Sequence, residues 1–232
     1  MDFIFMLTRA DETVANALQL LDNLAGLGLG HIGFKDVGAD KAILRTLSER
    51  IAGMGATSYL EVVSPGAESC LAAARLAAEI GVRRLLGGTA VDATLEILHG
   101  TGVEYFPFPG FPVGHPTDLR GSEAEIADHC ASFMAKGCAG ADLLAYRATE
   151  ADPLDLVRAA RAALGNGLLI VAGGISSKAQ LADLRRIGAD AFTVGTAILD
   201  NSFAAGANGI ADQVRAVQTA LDDDVERIPG TS

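Results

Sequence analysis

No apolar stretch of this chain approaches the roughly 20 residues that span a bilayer; runs such as residues 168–172 (Leu168-Leu169-Ile170-Val171-Ala172) are far shorter. No transmembrane helix is expected. The N-terminus begins directly on a strand-like run, Phe3-Ile4-Phe5-Met6-Leu7, without the basic flank and small-residue cleavage site of a signal peptide. These features predict a cytoplasmic protein. Cysteine is scarce: Cys70, Cys130 and Cys138 are odd in number, scattered, and lack the Cys-x-x-Cys spacing that suits zinc or redox chemistry. They read as reduced, helix-packing residues. Basic clusters are also missing, beyond pairs such as Arg83-Arg84 and Arg185-Arg186, and the formal net charge is −11. Nucleic acid is therefore not an expected partner. No His/Asp/Glu group has ligand spacing, so neither a metal nor another cofactor is expected. The same negative charge would repel an anionic metabolite, which must then be captured by local dipoles rather than by the overall field.

What is present is an apolar content of 50% over 232 residues, enough to bury one substantial core, and no linker or low-complexity tract divides the chain. Residues 1–232 are expected to form a single domain. Glycines at 30, 55, 81, 102, 140, 167 and 188 each precede a short apolar or β-branched run, the pattern left by a helix that ends on a left-handed glycine before a strand. With the N-terminal run the strand-like segments number eight: residues 3–7, 31–34, 58–63, 84–86, 105–106, 143–145, 168–172 and 191–194. Helical starts lie between them. Ser122 with Glu125 and Ser177 with Gln180 fit capping boxes, and Pro65 and Pro153 fit the first turn after Ser64 and Asp152. Leu181, Leu184 and Ile187 give the seventh helix one apolar face. Strands alternating with single helices require a parallel sheet, and eight such units point to an α/β (β/α)₈ barrel, with a doubly wound open sheet as the alternative. The one long interruption, residues 107–121, is rich in Pro and Gly, reads as structureless, and follows the fifth strand on the face expected to carry function.

Two glycine turns near the C-terminus carry the strongest functional signal. After the seventh strand stands Gly173-Gly174-Ile175-Ser176-Ser177, and after the eighth Gly195-Thr196-Ala197-Ile198-Leu199. Lacking a Cβ, these glycines let backbone N–H groups approach a ligand, and a short helix from near Thr196 would aim further donors at an anion. Gly173-Gly174-Ile175-Ser176 and the run from Gly188 to Ile198 resemble the ribulose-phosphate-binding superfamily of (β/α)₈ barrels, which includes enzymes of histidine and tryptophan biosynthesis, thiamin-phosphate synthase and pentose- and hexulose-phosphate enzymes. The resemblance covers about the last quarter of the chain. It implies that Gly173, Gly174, Gly195 and Thr196 cradle the phosphate of a small phosphorylated metabolite, and it leaves the reaction open.

Strand parity selects the reactive groups. If Ile32 and Phe34 face the helices, then His31, Gly33 and Lys35 face the barrel interior. If Leu60 and Val62 face outward, Tyr59 and Glu61 face inward on the adjacent strand. Lys35 and Glu61 would meet at the mouth. Inward charges are unfavourable unless paired, so they mark either an ion pair or a functional site. A partly desolvated lysine with a lowered pKa can attack a carbonyl to form a Schiff base, with Glu61 shuttling protons. The segment Gly33-Phe34-Lys35-Asp36 is similar to the second-strand lysine segment of barrel synthases that condense triose phosphates in this way. An isomerase would instead use Glu61 with Lys35, or Glu61 with His115, as acid and base. The isomerases of histidine and tryptophan biosynthesis place a carboxyl or thiol at the first strand, where this chain has Thr8-Arg9, and the Asp-x-Lys-x-x-Asp pattern of metal-assisted decarboxylases is missing from the third.

Arg9, Tyr146 and Arg147 stand at the expected ends of the first and sixth strands and are further candidates for substrate contact. The expectation is an aldolase-type lyase acting on a small phosphorylated sugar or sugar acid through Lys35, Glu61 and His115. A phosphosugar isomerase and a non-catalytic phosphometabolite-binding barrel are the alternatives. A homo-oligomer is compatible with such a barrel.

Overall fold

The computed structural model describes residues 1–64, 66–114 and 116–225. Eight parallel strands, β1 (Asp2–Met6), β2 (His31–Lys35), β3 (Thr57–Glu61), β4 (Arg84–Leu86), β5 (Glu104–Phe106), β6 (Gly140–Leu143), β7 (Leu168–Val171) and β8 (Ala191–Val194), pair in the order β6-β7-β8-β1-β2-β3-β4-β5. The two ends of this order meet: Ala139 N–H donates to the Tyr105 carbonyl at 3.0 Å and Asp142 N–H to the Pro107 carbonyl at 3.1 Å. The sheet is a barrel, and the doubly wound alternative is excluded because β1 lies between β8 and β2.

Helices α1 (Ala17–Leu24), α2 (Lys41–Gly53), α3 (Ala67–Ile80), α4 (Val91–Leu98), α5 (Glu123–Lys136), α6 (Pro153–Leu164), α7 (Lys178–Ile187), a short α8 (Thr196–Leu199) and α9 (Ile210–Val225) follow the strands. Their starts obey local chemistry. Ser122 and Glu125 form a reciprocal capping box at α5, Asp152 accepts from the amides of Leu154 and Asp155 ahead of Pro153 in α6, and Ser177 accepts from Gln180 N–H at α7. Pro65 lies outside the described residues; α3 starts at Ala67 after Gly66. Among the described residues no helix is long and apolar enough to cross a membrane. The three cysteines are buried in the helix–sheet layer.

The alternation of side chains produces two cores. Phe3, Phe5, Ile32, Phe34 and Leu60 join the helices in the outer layer, whereas Ile4, Met6, Tyr59, Leu86, Phe106, Ile170 and Ala191 fill the barrel. Gly33 also faces inward, and a Cβ there would run into the Met6 sulfur, so the glycine makes room for the methionine. The N-terminal floor is polar. Tyr59 hydroxyl lies 2.9 Å from His31 Nδ1 and accepts from Arg84 at 2.7 Å, and Arg84 continues to Glu104 at 2.8 Å. The guanidinium also stacks over the rings of Tyr59 and Phe106, at 5.5 and 5.4 Å.

Several local expectations need correction. Of the seven glycines, only Gly55, Gly81, Gly102 and Gly188 are left-handed; Gly140 lies inside β6, and α5 ends instead at Gly137. The sixth strand covers 140–143 rather than 143–145. Beyond it the chain turns off the lip into a 3₁₀ turn, Ala145–Arg147, closed by Arg147 N–H on the Leu144 carbonyl at 2.9 Å. Residues 107–121 are not structureless: Phe111–Val113 and Asp118–Arg120 form an antiparallel ribbon. A two-stranded ribbon has a free edge on each strand, which accommodates Pro112 without a buried unpaired acceptor. The ribbon is tied down by Gly110 N–H on His129 Nδ1 at 2.9 Å and by Thr149 N–H on the Leu119 carbonyl at 3.1 Å.

The floor generates a prediction. Desolvation lowers the His31 pKa from 6.5, the Asp2 carboxylate opposes this, and Arg84 adds to the lowering, so the net shift is downward. The native imidazole is thus held neutral while the unfolded chain takes up a proton near the ordinary value. Its contribution to stability is complete above that value and is lost as pH falls through it. Denaturant unfolding from pH 7.5 to 5 should show the parent protein losing stability relative to His31→Gln; parallel curves would contradict this.

Candidate active site

Lys35 and Glu61 end β2 and β3 and stand opposite each other in the register. Lys35 Nζ lies 3.3 Å from Glu61 Oε1 and 2.7 Å from Asp11 Oδ1. Arg147 closes the cluster from the 3₁₀ turn, donating to both oxygens of Asp11 at 2.8 and 2.7 Å. Lys35, Glu61 and Asp11 are 7%, 5% and 7% exposed, so the charges interact in a site that water screens poorly.

Asp11 reaches this position by an irregular route. Thr8–Arg9 and Glu12–Thr13 pair antiparallel, and Ala10 and Asp11 make the two-residue turn with φ of 49° and 62°. Two positive φ values match the twist of a tight hairpin, and Asp tolerates the left-handed region better than Ala, whose strain there is about 1 kcal/mol. The hairpin is locked onto β2. Thr13 hydroxyl accepts from Lys35 N–H at 2.8 Å and donates to the Lys35 carbonyl at 2.9 Å.

These contacts correct the protonation expected for Lys35. Desolvation does lower its pKa, but Glu61 and Asp11 more than offset it, and the net shift is upward. The resting group is an ammonium. Burial would raise the Asp11 carboxyl, yet the hydrogen bonds and charges of Arg147 and Lys35 prevail and hold it well below the usual carboxylate range. Asp142 behaves in the opposite way. It is fully buried on β6, neither oxygen has a hydrogen-bond partner among the described residues, and desolvation with the Glu61 charge raises it well above the ordinary value despite Lys35.

The cluster forms one wall of a cavity of about 230 Å³. The opposite wall consists of Gly173, Gly174, Ile175 and Ser176 after β7 and Gly195, Thr196 and Ala197 after β8. Gly173 has φ of 98°, and a Cβ there would stand 2.8 Å from Arg147 Cγ; at Gly195 it would stand 2.9 Å from the Thr8 carbonyl. Among the described residues no backbone acceptor takes the amides of Gly174, Ile175, Gly195 or Thr196, whereas Ser176 N–H is spent on Gln180 Oε1 at 2.9 Å. Several unspent donors therefore belong to residues that line one space.

The remaining sequence candidates divide. Arg147 lines the cavity, held by Asp11. Arg9 does not: it donates to the Leu199 carbonyl at 2.6 Å and pairs with Asp200 at 2.8 Å, about half exposed, because the strand ends before it and the hairpin turns it toward the end of α8. Tyr146 is also absent from the cavity lining, its hydroxyl buried without a hydrogen-bond partner among the described residues and its pKa pushed up to about 12 by burial. His115 lies outside the described residues. Among the described residues no three His, Cys, Asp or Glu side chains are arranged to hold a metal, and Lys35 fills the space between Asp11 and Glu61 that a cation would take. Sequence reasoning missed Asp11 and Asp142. The signal for the latter was a single acid in an otherwise apolar strand, Gly140-Ala141-Asp142-Leu143.

No protein-family model matches the chain, and no curated protein matches it in sequence. Solved structures match in fold. One described as native KDPGal is 14% identical, with 97% of each chain covered and a TM-score of 0.70. Orotidine 5′-phosphate decarboxylase from Pyrococcus horikoshii is 13% identical over 95% of this chain and 99% of its own, with a TM-score of 0.68. Thiamine phosphate pyrophosphorylase from Pyrococcus furiosus is 13% identical over 96% of each chain, with a TM-score of 0.62. The chain shares the (β/α)₈ barrel fold of these structures. At these identities the likeness carries the fold, and function has to be argued from the site.

Asp11 supplies the test of the cluster. Asp11→Asn removes the carboxylate shared by Lys35 and Arg147 and should lower stability at pH 7 by about 3 kcal/mol, as for a buried pair that loses one partner. The deficit should shrink below about pH 4, where the unfolded carboxyl takes up its proton while the native one stays ionised. Equal denaturation midpoints at pH 7 would show that the cluster is not load-sharing.

Proposed function

We propose that this protein is an enzyme acting on a small phosphorylated sugar or sugar acid, and that it makes or breaks a carbon–carbon bond through Lys35. The observation that carries the reading is the single cavity with unspent amides on one wall and the Lys35–Glu61 pair on the other. Its volume of about 230 Å³ is below the roughly 300–1,000 Å³ typical of pockets for drug-sized ligands, which suits a short phosphorylated molecule. Two structural neighbours are named for phosphate-bearing molecules, orotidine 5′-phosphate and thiamine phosphate, which favours a phosphate as the group held by Gly173, Gly174, Gly195 and Thr196.

In this reading Lys35 passes a proton to Glu61, 3.3 Å away, and the freed amine attacks the substrate carbonyl carbon. The carbinolamine, reprotonated on oxygen, loses water to give an iminium. In the cleavage direction the bonding pair of the adjacent carbon–carbon bond moves into the iminium, leaving an enamine, while Glu61 takes the hydroxyl proton of the departing aldehyde. Protonation of the enamine and hydrolysis return the free lysine. Asp11, itself held by Arg147, keeps Lys35 in place, and the Arg147 guanidinium on the cavity wall is the group that would receive a substrate carboxylate. The upward shift of Lys35 favours a second reading, a phosphosugar isomerase in which the ammonium polarises the carbonyl and Glu61 moves the proton between neighbouring carbons.

Borohydride reduction with dihydroxyacetone phosphate or pyruvate as the carbonyl probe separates the two. The expected result is a mass increment on the peptide containing Lys35, absent in Lys35→Arg. Aldose–ketose turnover with no adduct would select the isomerase, and phosphate binding with neither would leave a non-catalytic binding barrel. For the cradle, Gly195→Ala should raise KM for a phosphorylated substrate by about tenfold or more, corresponding to roughly 1.4 kcal/mol, with a smaller change in kcat. An unchanged KM would contradict the assignment.

A further inference from the structure

Asp142 has no part in the scheme above, and its placement has no structural explanation. It pairs in register with Ile170, an inner-layer residue, so it faces into the barrel, where that layer is lined by Met6, Tyr59 and Phe106. It is 0% exposed, yet neither carboxyl oxygen has a hydrogen-bond partner among the described residues. An acid that satisfies no buried donor contributes nothing to packing that a leucine or asparagine of similar size would not. It lies outside the cavity lining.

The charges whose fields reach it are those of Glu61 and Lys35, the pair at the mouth above it. Other titratable groups lie further along the same interior or at its rim. His31, Tyr59, Arg84 and Glu104 form the floor network, Asp11 and Arg147 flank Lys35, and Asp36 accepts from Val63 N–H at the end of β2. We propose that Asp142 is a positioning residue that acts through space on Lys35 and Glu61 and decides when Lys35 gives up its proton.

Coupling between titrating groups is mutual: if the charges of Lys35 and Glu61 govern the proton on Asp142, the proton on Asp142 governs theirs. While Asp142 is neutral, Lys35 answers to two carboxylates, Asp11 and Glu61. Once Asp142 ionises, a third negative charge in the same poorly screened interior holds the ammonium more tightly. An acid that is neutral at rest therefore keeps the lysine's proton within reach of removal, and its ionisation closes that possibility.

The test needs no substrate. The ionisation of Lys35 is followed by carbon NMR of its side chain, assigned with Lys35→Arg, in the parent protein and in Asp142→Asn, which keeps the shape and cannot ionise. The expected result is that Lys35 titrates at lower pH in Asp142→Asn, by on the order of one pH unit, and that the limb of kcat/KM tracking its deprotonation moves the same way. Superimposable lysine titrations would overturn the proposal. If Asp142→Asn does not fold, infrared spectroscopy follows the protonated Asp142 carboxyl in the parent and in Glu61→Gln. It should ionise at lower pH in Glu61→Gln, and an unmoved titration would overturn the coupling. The proposal uses the lysine-centred reading for its consequence in catalysis, but the two fail separately. A shifted lysine titration without a borohydride adduct would remove the covalent mechanism and leave the coupling, whereas an adduct with an unshifted titration would do the reverse.

Discussion

A lysine ammonium that is 7% exposed cannot persist without carboxylates at close range, and at the mouth of this barrel that requirement organises three separate parts of the chain. Glu61 comes from the neighbouring strand, so the register of β2 against β3 sets one partner. Asp11 comes from a strained two-residue turn, and the hairpin after β1 is anchored to β2 and the residues after it by the Thr13 hydroxyl on the backbone of Lys35 and by Thr13 N–H on the Val37 carbonyl. Arg147 comes from the turn after β6 and balances the second carboxylate. Two positive and two negative side chains balance in the cluster, while burial pushes the carboxyl of Asp142, which faces the same barrel interior, well above the usual carboxylate range.

The opposite side of the cavity is made from backbone rather than charge. With a formal net charge of −11, the protein has no favourable long-range field for an anion. Amides held open by the glycine turns after β7 and β8 act at contact distance and are indifferent to that field. The two walls meet physically, since Arg147 packs over Gly173 and Thr8 over Gly195, so the glycines that expose amides are also the places where the charge cluster's supports come closest. The proposed anion cradle and the Lys35 cluster are consequently one packing problem.

Much of this was legible in the residues because side-chain alternation is a strong, local signal. Ile32 and Phe34 against Lys35, and Leu60 against Tyr59 and Glu61, were enough to orient β2 and β3, and the two glycine turns stood out by composition. What was not legible depended on tertiary contact. Nothing in Thr8-Arg9-Ala10-Asp11 announces a left-handed turn, because its stability comes from Thr13 reaching β2. Arg9 was placed at the site by the same misreading, which took it to stand at the end of β1, although that strand stops at Met6. The lysine's protonation went the wrong way because burial was weighed above the charge of Glu61, and the second carboxylate, Asp11, was not visible in the strand pattern. The ribbon at 111–120 was hidden by its Pro and Gly content, which a two-stranded ribbon tolerates and a central strand does not.

If one cavity joins an anion cradle to the Lys35 cluster, a crystal of the protein soaked in inorganic phosphate will show it. The account predicts an anion on the amides of Gly174 and Gly195, with Lys35 Nζ facing it across the cavity at about 5–9 Å, the span of one small sugar at a barrel mouth. An empty cradle at saturating phosphate, or an anion bound directly to Lys35 in place of Asp11, would contradict it.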